Sequence, residues 1–298
     1  MGLDLVGIVE NIYRYPIKGF SGEMLDNVTL DTDNVIPGDR EYAFAKTGVS
    51  FDPDNPHYIR KTNFLALVKY EKLASLETKF SDFSKELSLS TSGVKLIEGS
   101  LSNKADCQNI SNFLKHYLNM PSSERPHLVT ATEGTQAHSF SDVPDNAISL
   151  INLSSVEELS TKTRTKIDHG RFRGNIYFKG NKPWQEFNWI DSRLRIGKVI
   201  FHVFKRIKRC AATNVNPKTG SRDLSVRPRQ KRSHHSRCLS SRQTVSAPVG
   251  AHPAARKNTP FLPPRYFIHQ EATPVSLELW FTPCLKSWSG IPQTPWRH

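Results

Sequence analysis

The chain has 298 residues, of which 37% are hydrophobic and 23% charged, and a formal net charge of +13. That is enough apolar material for one large or two small cored domains. No run approaches the roughly 18 apolar residues of a membrane helix, which excludes a helical membrane protein as the expectation.

The N-terminal "MGLDLVGIVE" has neither a basic leader region nor a long apolar run, so no secretory signal is expected. The cysteines Cys107, Cys210, Cys238 and Cys284 form no CxxC pair. This argues against a zinc ribbon, an iron–sulfur cluster and a disulfide framework, and favours a reducing, cytoplasmic location. Residues 225–298 carry 11 Lys/Arg against 2 Asp/Glu. The high charge therefore describes mainly the last quarter. It is weak support for nucleic-acid binding beyond nonspecific contact by that segment.

In chain order, the first third reads as β. "LVGIVENIYRYPI" is a half-buried strand ending at Pro16, and "EMLDNVTL" and "REYAFAK" are further short strands. "LASLETKF", "ELSLS" and "VKLIEG" continue at short spacing, as in a barrel or sandwich. "ADCQNISNFLKHYL" predicts a helix over 105–118, with Ile110, Phe113, Leu114, Tyr117 and Leu118 on one face. Cys107 falls on that helix and is expected to be structural. Pro121 and "PSSERP" mark a boundary. "HLVTA" and "AISLINL" are strands, and Ser154 with Glu157 fits a capping box that opens a helix. "RFRGNIYF" and "LRIGKVIFHVFKRIKR" are strands, and the first of them places Arg171 and Arg173 on one face. Beyond Leu224 the chain holds 10 of the 19 prolines and no sustained apolar period, so a mostly disordered tail is expected.

The chemistry concentrates in "FKRIKRCAATNVNPKTG", where Cys210 follows Lys205, Arg206, Lys208 and Arg209. Nearby positive charge favours a thiolate, whereas a cysteine kept for packing does better among apolar neighbours. His169 in "DHGRF" is expected to be structural, and "HHSRC" at 234–238 matches no zinc spacing.

The segments "YRYPIKGFSGE", "PGDREYAF", "SFSDVPDNAISLINLSSVEEL", "DHGRFRGNIYF" and "RCAATNVNPKTG" occur in this order. Together they resemble the MOSC family, with its N-terminal β-barrel domain and MOSC domain, over roughly residues 3–224. The layout is similar to that of the amidoxime-reducing and N-hydroxylated-base-reducing members. The resemblance implies a mainly β, α+β fold with a barrel domain at 1–121, a MOSC domain at 122–224 lacking its usual end, and a basic tail at 225–298. The rival sources of that tail are a shifted reading frame and a lineage-specific extension.

The resemblance also implies a molybdenum cofactor (a molybdopterin), with Cys210 as catalytic residue and molybdenum ligand. Lys18, Gly19, Arg40, Arg173, Asn175, Arg209, Ala211 and Thr213 would contact the cofactor, with Asp142 as an orienting group nearby. The implied activity is an oxidoreductase that reduces N-hydroxylated small molecules with electrons from a separate flavin or iron–sulfur protein. The alternative is a non-catalytic carrier of the cofactor or of sulfur.

Overall fold

The structure is a computed structural model that describes residues 7–31, 34–131, 138–207 and 209–224, and the backbone of two later strands, 265–271 and 279–282. The described residues are mainly β with two α-helices, an α+β class as the sequence implies. The "HHSRC" segment and Cys238 and Cys284 lie outside the described residues.

The first strand, β1 (Ile8–Arg14), ends where Pro16 can no longer donate to a ladder. It pairs antiparallel with β2 (Glu23–Leu25), a shorter strand than "EMLDNVTL" suggests. Next come β3 (Tyr42–Ala45), β4 (Glu77–Phe80), β5 (Glu86–Thr91) and β6 (Val94–Ser100). β4, β5 and β6 form a three-stranded antiparallel sheet. Helix α1 (Lys104–Tyr117) packs on it, and its N-cap Asn103 accepts from the amides of Ala105 and Asp106. Ile110 and Leu114 on its inner face are fully buried, each worth about 1.5–3 kcal/mol of apolar transfer. Cys107 rests with its sulfur 3.2 Å from the Leu101 carbonyl, in keeping with a structural role.

The second half supplies β7 (His127–Thr130), β8 (Ile148–Asn152), helix α2 (Leu153–Thr163) and β9 (Ile176–Lys179). β8 is buried at every position, and it lies parallel to β9. The hairpin of β10 (Ser192–Ile196) and β11 (Val199–Ile207) divides the long alternating stretch at Gly197. A fully apolar cluster (Ile148, Leu150, Ile176, Phe178, Leu194, Phe201, Val203) forms the core beneath the large sheet.

Two expectations are corrected. Helix α2 is capped by Asn152, whose side chain accepts from the Ser154 amide, not by a Ser154/Glu157 box. A side-chain oxygen already sits at the strand end, so the helix starts earlier. "RFRGN" is not strand: His169–Phe172 is a 3₁₀ turn that ends with Arg173 in the left-handed region. Within the segment expected to be mostly disordered, two strands are described, β12 (Arg265–Glu271) and β13 (Leu279–Thr282). Short apolar, β-branched and aromatic runs within that basic stretch are enough to complete ladders.

The largest sheet has the order β13-β10-β11-β12-β8-β9-β1-β2. β12 thus fills the place between β8 and β11. Among the described residues no ladder joins β13 to β2. Pairing also crosses the expected boundary at residue 121 in both directions: β1 pairs with β9, and β3 with β7.

Candidate functional site

The segment after β1 turns inward at "YPIKG". Gly19 adopts φ +89°, and a Cβ there would sit 2.5 Å from the Leu65 carbonyl oxygen, so only glycine fits. This close approach brings the Lys18–Gly19 turn against the loop at 64–68. The 3₁₀ turn His169–Phe172 and the Cys210 turn face them across a cleft of about 340 Å³. Eight cationic side chains line the cleft: Lys18, Arg40, Lys61, Arg171, Arg173, Lys205, Arg206 and Arg209. Among the described residues, Asp142 is the only carboxylate in the lining, and Cys210 the only thiol. Such a lining favours an anionic ligand, because like charges held this close repel unless something negative lies among them.

Each cation is held differently. Lys18 is buried, and its ammonium donates to the Phe140 carbonyl at 2.6 Å, the Ser141 carbonyl at 3.2 Å and Asp142 Oδ1 at 2.9 Å. Burial pushes its pKa down despite Asp142. With three donors engaged, Lys18 anchors the 140–142 segment.

Arg40 sits in the left-handed region at φ 58° and pairs with buried Asp39, which also accepts from the Tyr15 amide at 2.8 Å. Burial is the largest influence on Arg40 and opposes its charge, but Asp39 and then Asp142 outweigh it and the pKa is raised. Arg173 is also left-handed, at φ 48°, and donates to the Phe20 carbonyl at 2.5 Å. Both guanidiniums lie over the Tyr15 ring, at 4.9 and 4.3 Å. Non-glycine residues in this region cost of order 1–3 kcal/mol each and cluster at functional sites. Two of them fall in this one lining.

Arg209 lies over the Phe172 ring at 4.9 Å and donates to the Phe172 carbonyl at 3.3 Å. The Cys210 carbonyl accepts from the Thr213 amide and hydroxyl at 3.2 and 3.0 Å, which fixes the turn carrying the half-buried thiol. Lys61 stands beside both Cys210 and Asp142. Burial, the largest influence, lowers its pKa, but the Asp142 charge and then the Cys210 charge and hydrogen bond raise it on balance.

Of the residues singled out in the sequence, Lys18, Gly19, Arg40, Arg173, Arg209, Cys210 and Thr213 line the cleft, as does Asp142. Asn175 and Ala211 do not. Asn175 is buried, and its side chain accepts from the Ser149 amide and hydroxyl and donates to the Tyr13 carbonyl. It is a strand-linking residue, with no donor or acceptor turned to the cleft. Ala211 gives way to its neighbour Ala212. Sequence reasoning missed Lys61 and the wall at Ala66, Leu67 and Val68, which lie in a stretch without a motif. Arg171 was visible in the sequence as a like-charged partner of Arg173 but was not among the residues expected to contact the cofactor. It is buried, pairs with Asp223 at 2.7 Å, and leaves its Nε without a hydrogen-bond partner among the described residues.

These residues fit a cofactor that carries its own metal-holding group. Among the described residues no group of three or more His, Cys, Asp or Glu could hold a metal ion. Among the described residues the cleft offers one soft sulfur donor, Cys210, and a surplus of cations, which suits an anionic organic ligand that brings its metal with it.

Residues 135–246 match the model of the MOSC domain, a domain associated with the molybdenum cofactor. The match passes Leu224 into the basic segment. The molybdenum cofactor sulfurase of Drosophila mojavensis is 33% identical over 89 residues, 30% of this chain and 11% of that protein. The chain thus spans only about a tenth of that relative's length. Among solved structures, the YUAD protein from Bacillus subtilis is similar over 74% of this chain and 82% of its own, at 12% identity and a TM-score of 0.33. A likeness that loose carries no argument.

Proposed function

We propose that this protein binds the molybdenum cofactor in the cationic cleft and reduces N-hydroxylated compounds, such as hydroxylamino bases or amidoximes, with electrons from a separate redox protein. The observation that carries the proposal is the joining, among the described residues, of Cys210 with eight cations and a single carboxylate in one cleft. The MOSC match over 135–246 supports it. The net reaction consumes R–NH–OH, two electrons and two protons and yields R–NH2 and water.

When bound, the cofactor supplies two-electron oxygen-transfer chemistry. The chain's own work is to hold and to orient. Cys210 would hold the metal through its sulfur, and the Thr213 contacts to the Cys210 carbonyl fix the turn that carries it. Arg40, Arg171, Arg173 and Arg209 line the cleft and would balance the ligand's negative charge. Lys61 keeps its proton beside Asp142 and Cys210 and so offers a charged donor at Nζ.

The test is the molybdenum and pterin content of protein made in a cofactor-competent host, wild type beside Cys210→Ala, with turnover of an N-hydroxylated base under a chemical reductant. The expected result is near-stoichiometric metal and turnover in the wild type, and loss of both in the variant. Folded wild-type protein without metal would refute the site. Metal without turnover would favour a second reading, a carrier of cofactor or sulfur with Cys210 as acceptor thiol. The similarity to a sulfurase over 89 residues speaks for that reading.

A further inference from the structure

The "NPKTG" turn contributes no side chain to the cleft lining, yet it is tightly built. Asn216 accepts through its side chain from the Lys218 amide at 2.9 Å, and its carbonyl accepts from the Gly220 amide at 3.0 Å. Gly220 sits at φ +69°, where an added Cβ would lie 3.1 Å from the Glu71 carbonyl oxygen. The turn therefore packs on Glu71 and doubles back, so that Arg222 bridges to Val215. The Arg222 guanidinium then reaches both walls of the cleft. Nη1 donates to the Ala211 carbonyl at 3.1 Å, on the Cys210 turn. Nη2 meets the Leu67 and Val68 carbonyls at 3.1 and 3.0 Å and Glu71 Oε2 at 3.2 Å, on the opposite wall.

We infer that Arg222 is a positioning residue: it ties the Cys210 turn to the 67–71 wall and sets the gap in which the ligand sits. Cys210 lies next to Ala211, whose carbonyl Arg222 holds, and Leu67 and Val68 are lining residues. A planar fork bonds acceptors on two walls in a fixed geometry, whereas an ammonium is a compact point donor on a flexible stem. The backbone contacts make the device independent of the side chains at 211, 67 and 68. Its importance for cofactor loading rests on the function proposed above. The mechanical tie does not.

The experiment compares wild type, Arg222→Ala, Arg222→Gln and Arg222→Lys as full chains. Alkylation of Cys210 by iodoacetamide is followed peptide by peptide in cofactor-free protein, with Cys107 as internal reference. Molybdenum content is measured separately in protein from a competent host. Arg222→Ala is expected to raise the Cys210 rate about tenfold relative to Cys107, because a loosened turn opens more often. Arg222→Lys should behave more like Arg222→Ala than like the wild type, and metal content should fall in all three. If Arg222→Ala does not fold, Arg222→Gln gives the same readout. Equal acceleration at both cysteines, or none at Cys210, overturns the inference. A wild type without molybdenum whose Cys210 rate still responds to Arg222 would leave the tie standing and remove the cofactor reading.

Discussion

At the scale of single residues, the cleft separates cations that hold the fold from cations that face the ligand. Lys18 belongs to the first group. Its ammonium is buried and donates to three oxygens of residues 140–142. Lys18→Met keeps most of the volume but strands two carbonyls and takes one cation from Asp142. Hydrogen bonds to charged groups contribute about 1.5–3 kcal/mol each, and a net loss of about 2 kcal/mol or more is expected by chemical denaturation. An unchanged denaturation midpoint would mean that the Lys18 contacts are not structural. Lys61 is of the second kind, about one-third exposed with its charge turned to Asp142 and Cys210. Its removal should alter the chemistry of Cys210 more than the stability of the fold.

At the scale of elements, the junction of β8 and α2 shows how one residue serves two purposes. Asn152 caps α2 with its oxygen, and its amide donates to Glu186 Oε2 at 2.8 Å. Ser155 donates to the other Glu186 oxygen at 2.5 Å. Burial is the largest influence on Glu186 and raises its pKa, against these hydrogen bonds. A carboxyl whose folded pKa is raised contributes stability that is complete below its unfolded value and is lost as pH rises through the folded value. Glu186→Gln cannot ionise, so its stability relative to wild type should improve as pH rises from the acid range toward neutrality. Paired thermal melts across that range test this, and a constant difference would refute it.

The same junction shows what could be read in advance. The buried run "AISLINL" identified β8, and the α1 face of Ile110 and Leu114 was legible from its period. The α2 start was misplaced because Ser154 and Glu157 satisfied a pattern that Asn152 had already pre-empted. At the site, Cys210 and the flanking arginines carried a chemical signature of their own. Lys61 and the Leu67–Val68 wall carried none, since only chain reversal at Gly19 and Arg222 brings them close. Asn175 was singled out for the ligand, and in the structure its side chain bonds two strands, because a hydrogen-bonding residue looks the same in sequence in either place.

At the scale of the whole molecule, the strand order joins distant parts of the chain. β1 pairs with β9, and β12 lies between β8 and β11. Removing residues 225–298 would take a strand out of the middle of the largest sheet and leave two inner edges open. A 1–224 fragment is therefore expected to be insoluble or to lack a cooperative melt, as read by circular dichroism and sedimentation. A soluble 1–224 fragment with the wild-type melting temperature would show that the later strands add nothing to the fold.

The place of β12 also has a consequence in time. A chain leaves the ribosome from its N-terminus, at about 5–20 residues per second. β8 and β11 emerge first and cannot be joined until the segment ending at Glu271 follows. At that rate the gap after Ile207 lasts on the order of 3–13 s. For that interval the nascent protein presents unpaired strand edges beside a cleft full of positive charge, and the ribosome around it is built of polyanion.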